Sequence, residues 1–215
     1  AIEKYCQMIG AKGSVIPVTL GKQTLWARRE DGTVVEGESR IDVSDDLNSS
    51  RITKVWLSPR AIVNPKAEVA IHEADVVIIG PGDHFTSIIP NLLVPGIPSA
   101  IRETKAMVVY IPNLMTKPSE TPDYQMRDLV ADINSSLGAE NVIDLIIANN
   151  EEFPPGVLES YAKEAKYPIF PTKEGLAGVR IPICSAPLLN HHEHWHHDPY
   201  KIGRVISERC LPAFH

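Results

Sequence analysis

The chain has 215 residues, 43% of them hydrophobic and 22% charged, with a formal net charge of −6. That length and balance suit one large α/β domain, and the acidic charge argues against the clustered Lys/Arg footprint of a nucleic-acid-binding protein. No apolar run approaches the ~20 residues that span a bilayer, and no basic-then-apolar leader opens the sequence, so neither a membrane partner nor a secretory route is expected.

Three widely spaced cysteines (Cys6, Cys184 and Cys210) predict reduced, packed thiols rather than a disulfide framework, which fits a cytoplasmic setting. In chain order, residues 1–9 read as the end of a helix, with Gly10 and Gly13 beyond it. Short extended runs follow over 14–20, 24–29 and 33–38. Asp31-Gly32 between the last two predicts a type I′ hairpin turn. Residues 41–50 are polar and loop-like, and 51–57 is a further strand with one apolar face.

From residue 66 the rhythm changes. A helix over 66–73 precedes a strand over 76–79, and two proline-bounded helical segments cover 87–93 and 98–105. A strand over 107–111 leads to an amphipathic helix over 124–137, with Met126, Leu129, Val130 and Ile133 on one face. A strand over 142–147 and helices over 155–163 and 199–208 complete the pattern. Strands alternating with helices predict a largely parallel sheet with right-handed crossovers. Strand C-termini in such a sheet share one edge, where ligands bind. Loops 80–85, 112–123 and 148–154 should therefore converge.

Two of these loops carry chemistry. The apolar strand before Gly80-Pro81-Gly82 stops at a tight turn, and Thr86-Ser87 then opens a helix. Free backbone N–H groups and the positive end of the helix dipole point at one spot there, and a phosphate is the natural occupant. The same residues also fit a ligand-free turn and a plain N-cap. After the 107–111 strand, Asn113, Thr116 and Thr121 are compact polar groups suited to a ribose, base or phosphate. His84 and Phe85 either line the pocket or sit in a solvated loop, and Tyr161 either packs on its helix or stacks on a ligand base. The run His191-His192-Glu193-His194-Trp195-His196-His197-Asp198 is dense in imidazoles, which bind divalent metals readily, but its spacing matches no defined zinc motif. No metal site is assigned to it.

Gly-Pro-Gly-x-x-x-Thr-Ser-x-x-Pro-Asn-Leu-Leu at residues 80–93 and Asn-Leu-Met-Thr-x-x-x-Glu-Thr at residues 113–121 resemble the CofD-like proteins, and within them the gluconeogenesis-factor (YvcK) branch. Supporting matches lie at residues 13–20, at Gly37-Glu38-Ser39, at Tyr161 and at His197-Asp198-Pro199, so the resemblance runs over nearly the whole chain. It implies a single CofD-like domain over 1–215 with a small β-rich portion around 14–57, and a Rossmann-like, doubly wound sheet with helices on both faces. It also implies a cleft for a nucleotide-sugar or nucleotide-diphosphate ligand, touched by Gly80, Pro81, Gly82, Thr86, Ser87, Asn91, Asn113, Thr116, Tyr161 and His196.

In the gluconeogenesis-factor branch the ligand is a UDP-sugar such as UDP-N-acetylglucosamine, and the role is regulation of carbon metabolism and cell shape. The alternative branch implies a 2-phospho-L-lactate transferase of deazaflavin coenzyme synthesis, which would bring Mg²⁺ and a guanosine-linked donor. Homo-oligomerisation is left open. The chain departs from the branch at Asp83 (usually Ser), Pro112 (Cys), Ser119 (Gly) and His196 (Arg). A His supplies less to a phosphate than a bidentate Arg, although His197 beside it could share the task. The family's Gly-rich loop and Asp-Asp-Gly-Gly-Ser-Ser-Gly segment find no match, so the chain reads as the C-terminal two-thirds of the pattern. With them go the acids that would hold Mg²⁺, and binding without turnover is the expectation.

Overall fold

The computed structural model describes residues 6, 8, 10–43, 50–191 and 195–211. The expected N-terminal helix and the polar stretch at 44–49 fall largely outside them, although Cys6 and Met8 are both helical.

Strands β1 (Thr24–Arg29), β2 (Val34–Glu36) and β3 (Ile52–Ser58) form a small antiparallel sheet in the order β2-β1-β3. Alternation along β1 buries Leu25, Ala27 and Arg29, while Trp26 faces out and stacks on its cross-strand partner Trp56 at 6.0 Å. The hairpin differs from the type I′ expectation. Gly32 has φ 87, but Asp31 is not in the left-handed region that a type I′ turn needs at both central positions. The Gly32 amide donates to the Arg29 carbonyl and the Arg29 amide to the Thr33 carbonyl, closing a three-residue loop. Asp31 is held there by the Thr33 amide at 2.8 Å, which lowers its pKa. Residues 14–20 form no strand. Pro17 has no amide to pair, and among the described residues the segment makes a single bridge, Thr19 to Val63.

The second sheet is parallel, with β4 (Val76–Ile79), β5 (Met107–Tyr110), β6 (Leu145–Asn149) and β7 (Ile183–Ala186) side by side in chain order. Strand β7 was not expected, since its Ile-Cys-Ser-Ala sequence has only one β-branched residue and no polar alternation to mark it.

Side chains of alternate residues leave the sheet on opposite faces. Val108, Tyr110, Ile146 and Ala148 share a core with Met126, Leu129 and Ile133 of helix α5 (Met126–Leu137), numbered after the helices α1 (Glu38–Asp42), α2 (Pro65–His72), α3 (Ile89–Leu92) and α4 (Ile97–Glu103). Val109, Ile111, Leu145 and Ile147 pack on the other face against Val205 of α7 (Pro199–Cys210), which follows α6 (Pro155–Lys163). The chain is thus an α/β, Rossmann-like fold with helices on both sheet faces.

Helix α5 shows why these elements form. Its predicted apolar face is buried in full, each large side chain contributing roughly 1.5–3 kcal/mol. At its start the Gln125 amide donates to Asp128 Oδ2 at 2.7 Å, and Gly138 ends it in the left-handed conformation. No helix among the described residues is long and apolar enough to cross a membrane.

Candidate functional site

The chain leaves β4 at Gly80, where φ is 80 and a Cβ would lie 2.6 Å from the Ile111 carbonyl oxygen, so only glycine fits this crossing of two loops. The Gly80–Pro81 bond is cis. The Gly82 amide then donates to Asn113 Oδ1 at 3.0 Å, which ties the Gly-Pro-Gly loop to the Asn-Leu-Met-Thr loop. The expected helix opens instead as a π-helical turn, His84–Ile88, with the amides of Ser87 and Ile88 both donating to the Asp83 carbonyl.

The free N–H groups at this turn do hold an anion, but it is the chain's own. Glu120, fully buried, accepts from the amides of Phe85 (2.6 Å) and Thr86 (3.1 Å) and from the Thr86 hydroxyl (2.8 Å). A tight turn brings it there. The amides of Glu120 and Thr121 return to the Lys117 carbonyl, and the Lys117 amide donates to Thr121 Oγ1. Lys117 and Glu120 therefore leave the loop together. The Lys117 ammonium lies 3.2 Å from Glu120, 2.7 Å from Asp83 and in close contact with Asp42. Burial works against this charge, but the bonds to Asp42 and Asp83 and the field of Glu120 outweigh it and hold the lysine pKa above its ordinary 10.5.

Asp42 arrives because the Ser119 hydroxyl donates to its carbonyl, while buried Arg29 of β1 donates to the carbonyls of Ser119 and Ser50. Asp42, Asp83 and Glu120 are the one group of three metal-capable side chains among the described residues, and their donor atoms lie within 4.8 Å of one another.

Beside this cluster lies a cleft of about 380 Å³. Its floor is a short antiparallel pairing, with Met115 bridged to Pro168, the Thr116 amide donating to the Tyr167 carbonyl and the Tyr167 amide to Thr116 Oγ1. Asp83, Asn113 and Lys117 line it from one direction. Tyr161, Lys166, Trp195, His196 and His197 line it from others. The Lys166 ammonium sits over the Tyr161 ring at 5.9 Å and pairs with Glu164 at 2.7 Å. Phe153 packs behind, edge-on to Tyr161 at 6.5 Å and tilted against Trp195 at 6.4 Å. Burial, with a smaller contribution from His196, pushes the His197 pKa down to about 4.

Of the residues singled out from sequence, Asn113, Thr116, Tyr161 and His196 meet in this cleft. Gly80, Pro81 and Gly82 shape the adjoining loop. Thr86 is buried with its hydroxyl on Glu120, and Ser87 and Asn91 are exposed, with the Asn91 amide donating to the Ser87 carbonyl. Loop 148–154 does not line the cleft. Its Glu151 accepts from Leu189 N and pairs with His191 and Lys201, which together outweigh burial and lower its pKa.

His84 is neither a cleft residue nor a solvated one. It is 3% exposed, paired with Asp132 at 3.1 Å and wedged against Phe85 and Tyr124. His192 and His194 lie outside the described residues. Sequence reasoning missed Glu120, Lys117, Lys166 and Trp195. The Lys-x-x-Glu spacing inside the Asn-Leu-Met-Thr motif was the available signal for the first two.

Residues 1–189 match the family described as 2-phospho-L-lactate transferase CofD. A putative gluconeogenesis factor from Clostridium acetobutylicum is 34% identical over 213 residues, covering 98% of this chain and 47% of that protein. The gluconeogenesis factor of Bacillus subtilis is 34% identical over 211 residues, covering 97% and 65%. The crystal structure of a UPF0052-family protein from Bacillus halodurans matches with a TM-score of 0.86 at 32% identity, over 95% of this chain and 64% of that one. The chain thus spans between 47% and 65% of the length of these relatives. Since the match runs through both loop motifs and through the parallel sheet that presents them, the chain belongs to the CofD family.

Proposed function

We propose that the chain is a nucleotide-sugar-binding module of regulatory rather than catalytic role, taking a UDP-N-acetylglucosamine-like ligand in the cytoplasm and serving carbon metabolism and cell-shape control. The observation that carries this reading is the cleft at the strand C-termini. Its volume of about 380 Å³ falls in the range of small-molecule sites, and it combines two aromatic rings, Tyr161 and Trp195, with the polar groups of Asn113, Lys117, Lys166 and His196. Aromatic faces suit a base, and cations suit a diphosphate. The relatives named gluconeogenesis factor support the link to carbon metabolism.

The transferase reading draws on a different observation, the Asp42–Asp83–Glu120 cluster. Carboxylate oxygens are the donors Mg²⁺ prefers. Lys117 already bridges all three, however, and its raised pKa keeps it charged. An ion would have to expel that ammonium, so these residues do not fit a resident Mg²⁺ and support no metal-assisted step.

Calorimetric titration with UDP-N-acetylglucosamine, with UDP, and with GDP in the presence and absence of Mg²⁺ tests both readings. Micromolar binding of the UDP-sugar that ignores Mg²⁺ is the expected result. Mg²⁺-dependent binding of GDP in preference to the UDP-sugar would overturn it in favour of the transferase.

A further inference from the structure

From adjacent positions on the cleft floor, Lys117 and Lys166 send their ammonium groups to different surroundings. Lys117 is committed to three carboxylates, so its end of the cleft is formally two charges negative. Among the described residues Lys166 pairs with one carboxylate, Glu164, which is 55% exposed and therefore well screened, and it lies over the Tyr161 ring.

A diphosphate carries its own negative charge. Against the Lys117 end it would meet Asp83 at short range, in a half-buried setting where like charges repel more strongly than in water. Asp83 is 43% exposed, lines the cleft and gives its Oδ2 to Lys117. Asn113, which lines the cleft, accepts the Gly82 amide through Oδ1, so its Nδ2 remains as a donor. This end is rich in acceptors and poor in net positive charge. It suits neutral groups that donate hydrogen bonds, such as sugar hydroxyls.

Resting on the nucleotide-sugar reading above, we infer that the cleft is polarised: Asp83 and Asn113 take the hydroxyls of the sugar, while Lys166 takes the diphosphate and the Tyr161–Trp195 rings take the base. Asp83 is then the residue that separates a nucleotide sugar from the bare nucleotide. It accepts hydrogen bonds that only the sugar can donate, and it repels the extra charge of a terminal phosphate.

The test is calorimetric titration of wild type, Asp83→Asn and Lys166→Gln with UDP-N-acetylglucosamine and with UDP, each variant first checked for an unchanged melting temperature. Asn at 83 keeps an oxygen for Lys117, so folding should be preserved. Asp83→Asn is expected to weaken the UDP-sugar roughly tenfold or more while UDP binding is unchanged or tighter. Lys166→Gln is expected to weaken both ligands alike. If Asp83→Asn instead tightens both ligands equally, the diphosphate lies at the acidic end and the polarity is reversed. Equal weakening of both, or no effect of Lys166→Gln on either, would also overturn the inference. Failure of the wild type to bind the UDP-sugar at all would overturn the underlying function, a result separable from these because it precedes any variant.

Discussion

Glu120 is where a loss should be felt most. Replacing it with alanine removes the acceptor for two amides and one hydroxyl, all buried, and strips one of the three carboxylates from Lys117. Hydrogen bonds to a charged group contribute ~1.5–3 kcal/mol each, but three donors on one carboxylate do not add in full. Breaking a buried charge network by removing one partner costs ~3–5 kcal/mol, and Lys117 keeps Asp42 and Asp83, so about 4 kcal/mol is expected. For a chain of this size that corresponds to a fall in Tm of roughly 8–16 °C. Glu120→Gln retains one acceptor but turns an NH₂ toward groups that are themselves donors, so about half the loss should remain. Thermal melts followed by circular dichroism and urea titrations measure both variants. The alanine variant also empties the nest of N–H groups, and inorganic phosphate should raise its Tm more than that of the wild type. An alanine variant within about 1 kcal/mol of wild type would refute the view that Glu120 is the structural occupant of the nest.

Thr86→Val should cost about 1–2 kcal/mol in urea unfolding, since it deletes a buried donor to Glu120, whereas exposed Ser87→Ala should stay within ~0.5 kcal/mol. Gly80→Ala should be among the most damaging single changes, at ~2 kcal/mol or more in the same assay, because the added Cβ meets a backbone carbonyl that cannot swing away and the φ of 80 is strained for alanine. His197 gives the chain an acid-side slope. Its folded pKa of about 4 lies below the ordinary 6.5, so the unfolded chain takes the proton first as pH falls. This group's contribution is complete above pH 6.5 and is lost between there and 4, by about 3 kcal/mol. Urea midpoints at pH 7 and pH 4 should show His197→Gln flattening that slope, and an unchanged slope would contradict it.

The fold was largely legible because most of its signals are local. The β-branched run at 76–79 and the proline-started helix at 155–163 have the same bounds in sequence and structure, and the 3.6-residue spacing of Met126, Leu129, Val130 and Ile133 identified a helix face that the sheet does bury. Strand β7 was missed because four residues with no alternation become a strand only when β6 offers its free edge. Residues 14–20 failed in the opposite sense: they look extended, but among the described residues no strand lies alongside to pair with them.

The site divides the same way. Sequence alone determined that a strand ends in Gly-Pro-Gly, that the next turn presents unpaired amides, and that polar residues follow the neighbouring strand, since each of these is a property of a few consecutive residues. Which group fills those amides was decided only in three dimensions. Glu120 lies 35 residues beyond Phe85, and its carboxylate arrives there because β4 and β5 are neighbours and the Lys117–Thr121 turn aims it. The likeness of a phosphate and a carboxylate to a nest of N–H groups is the physical reason: local sequence specifies an anion site, and the contacts that select its occupant are made by chain that is distant in sequence.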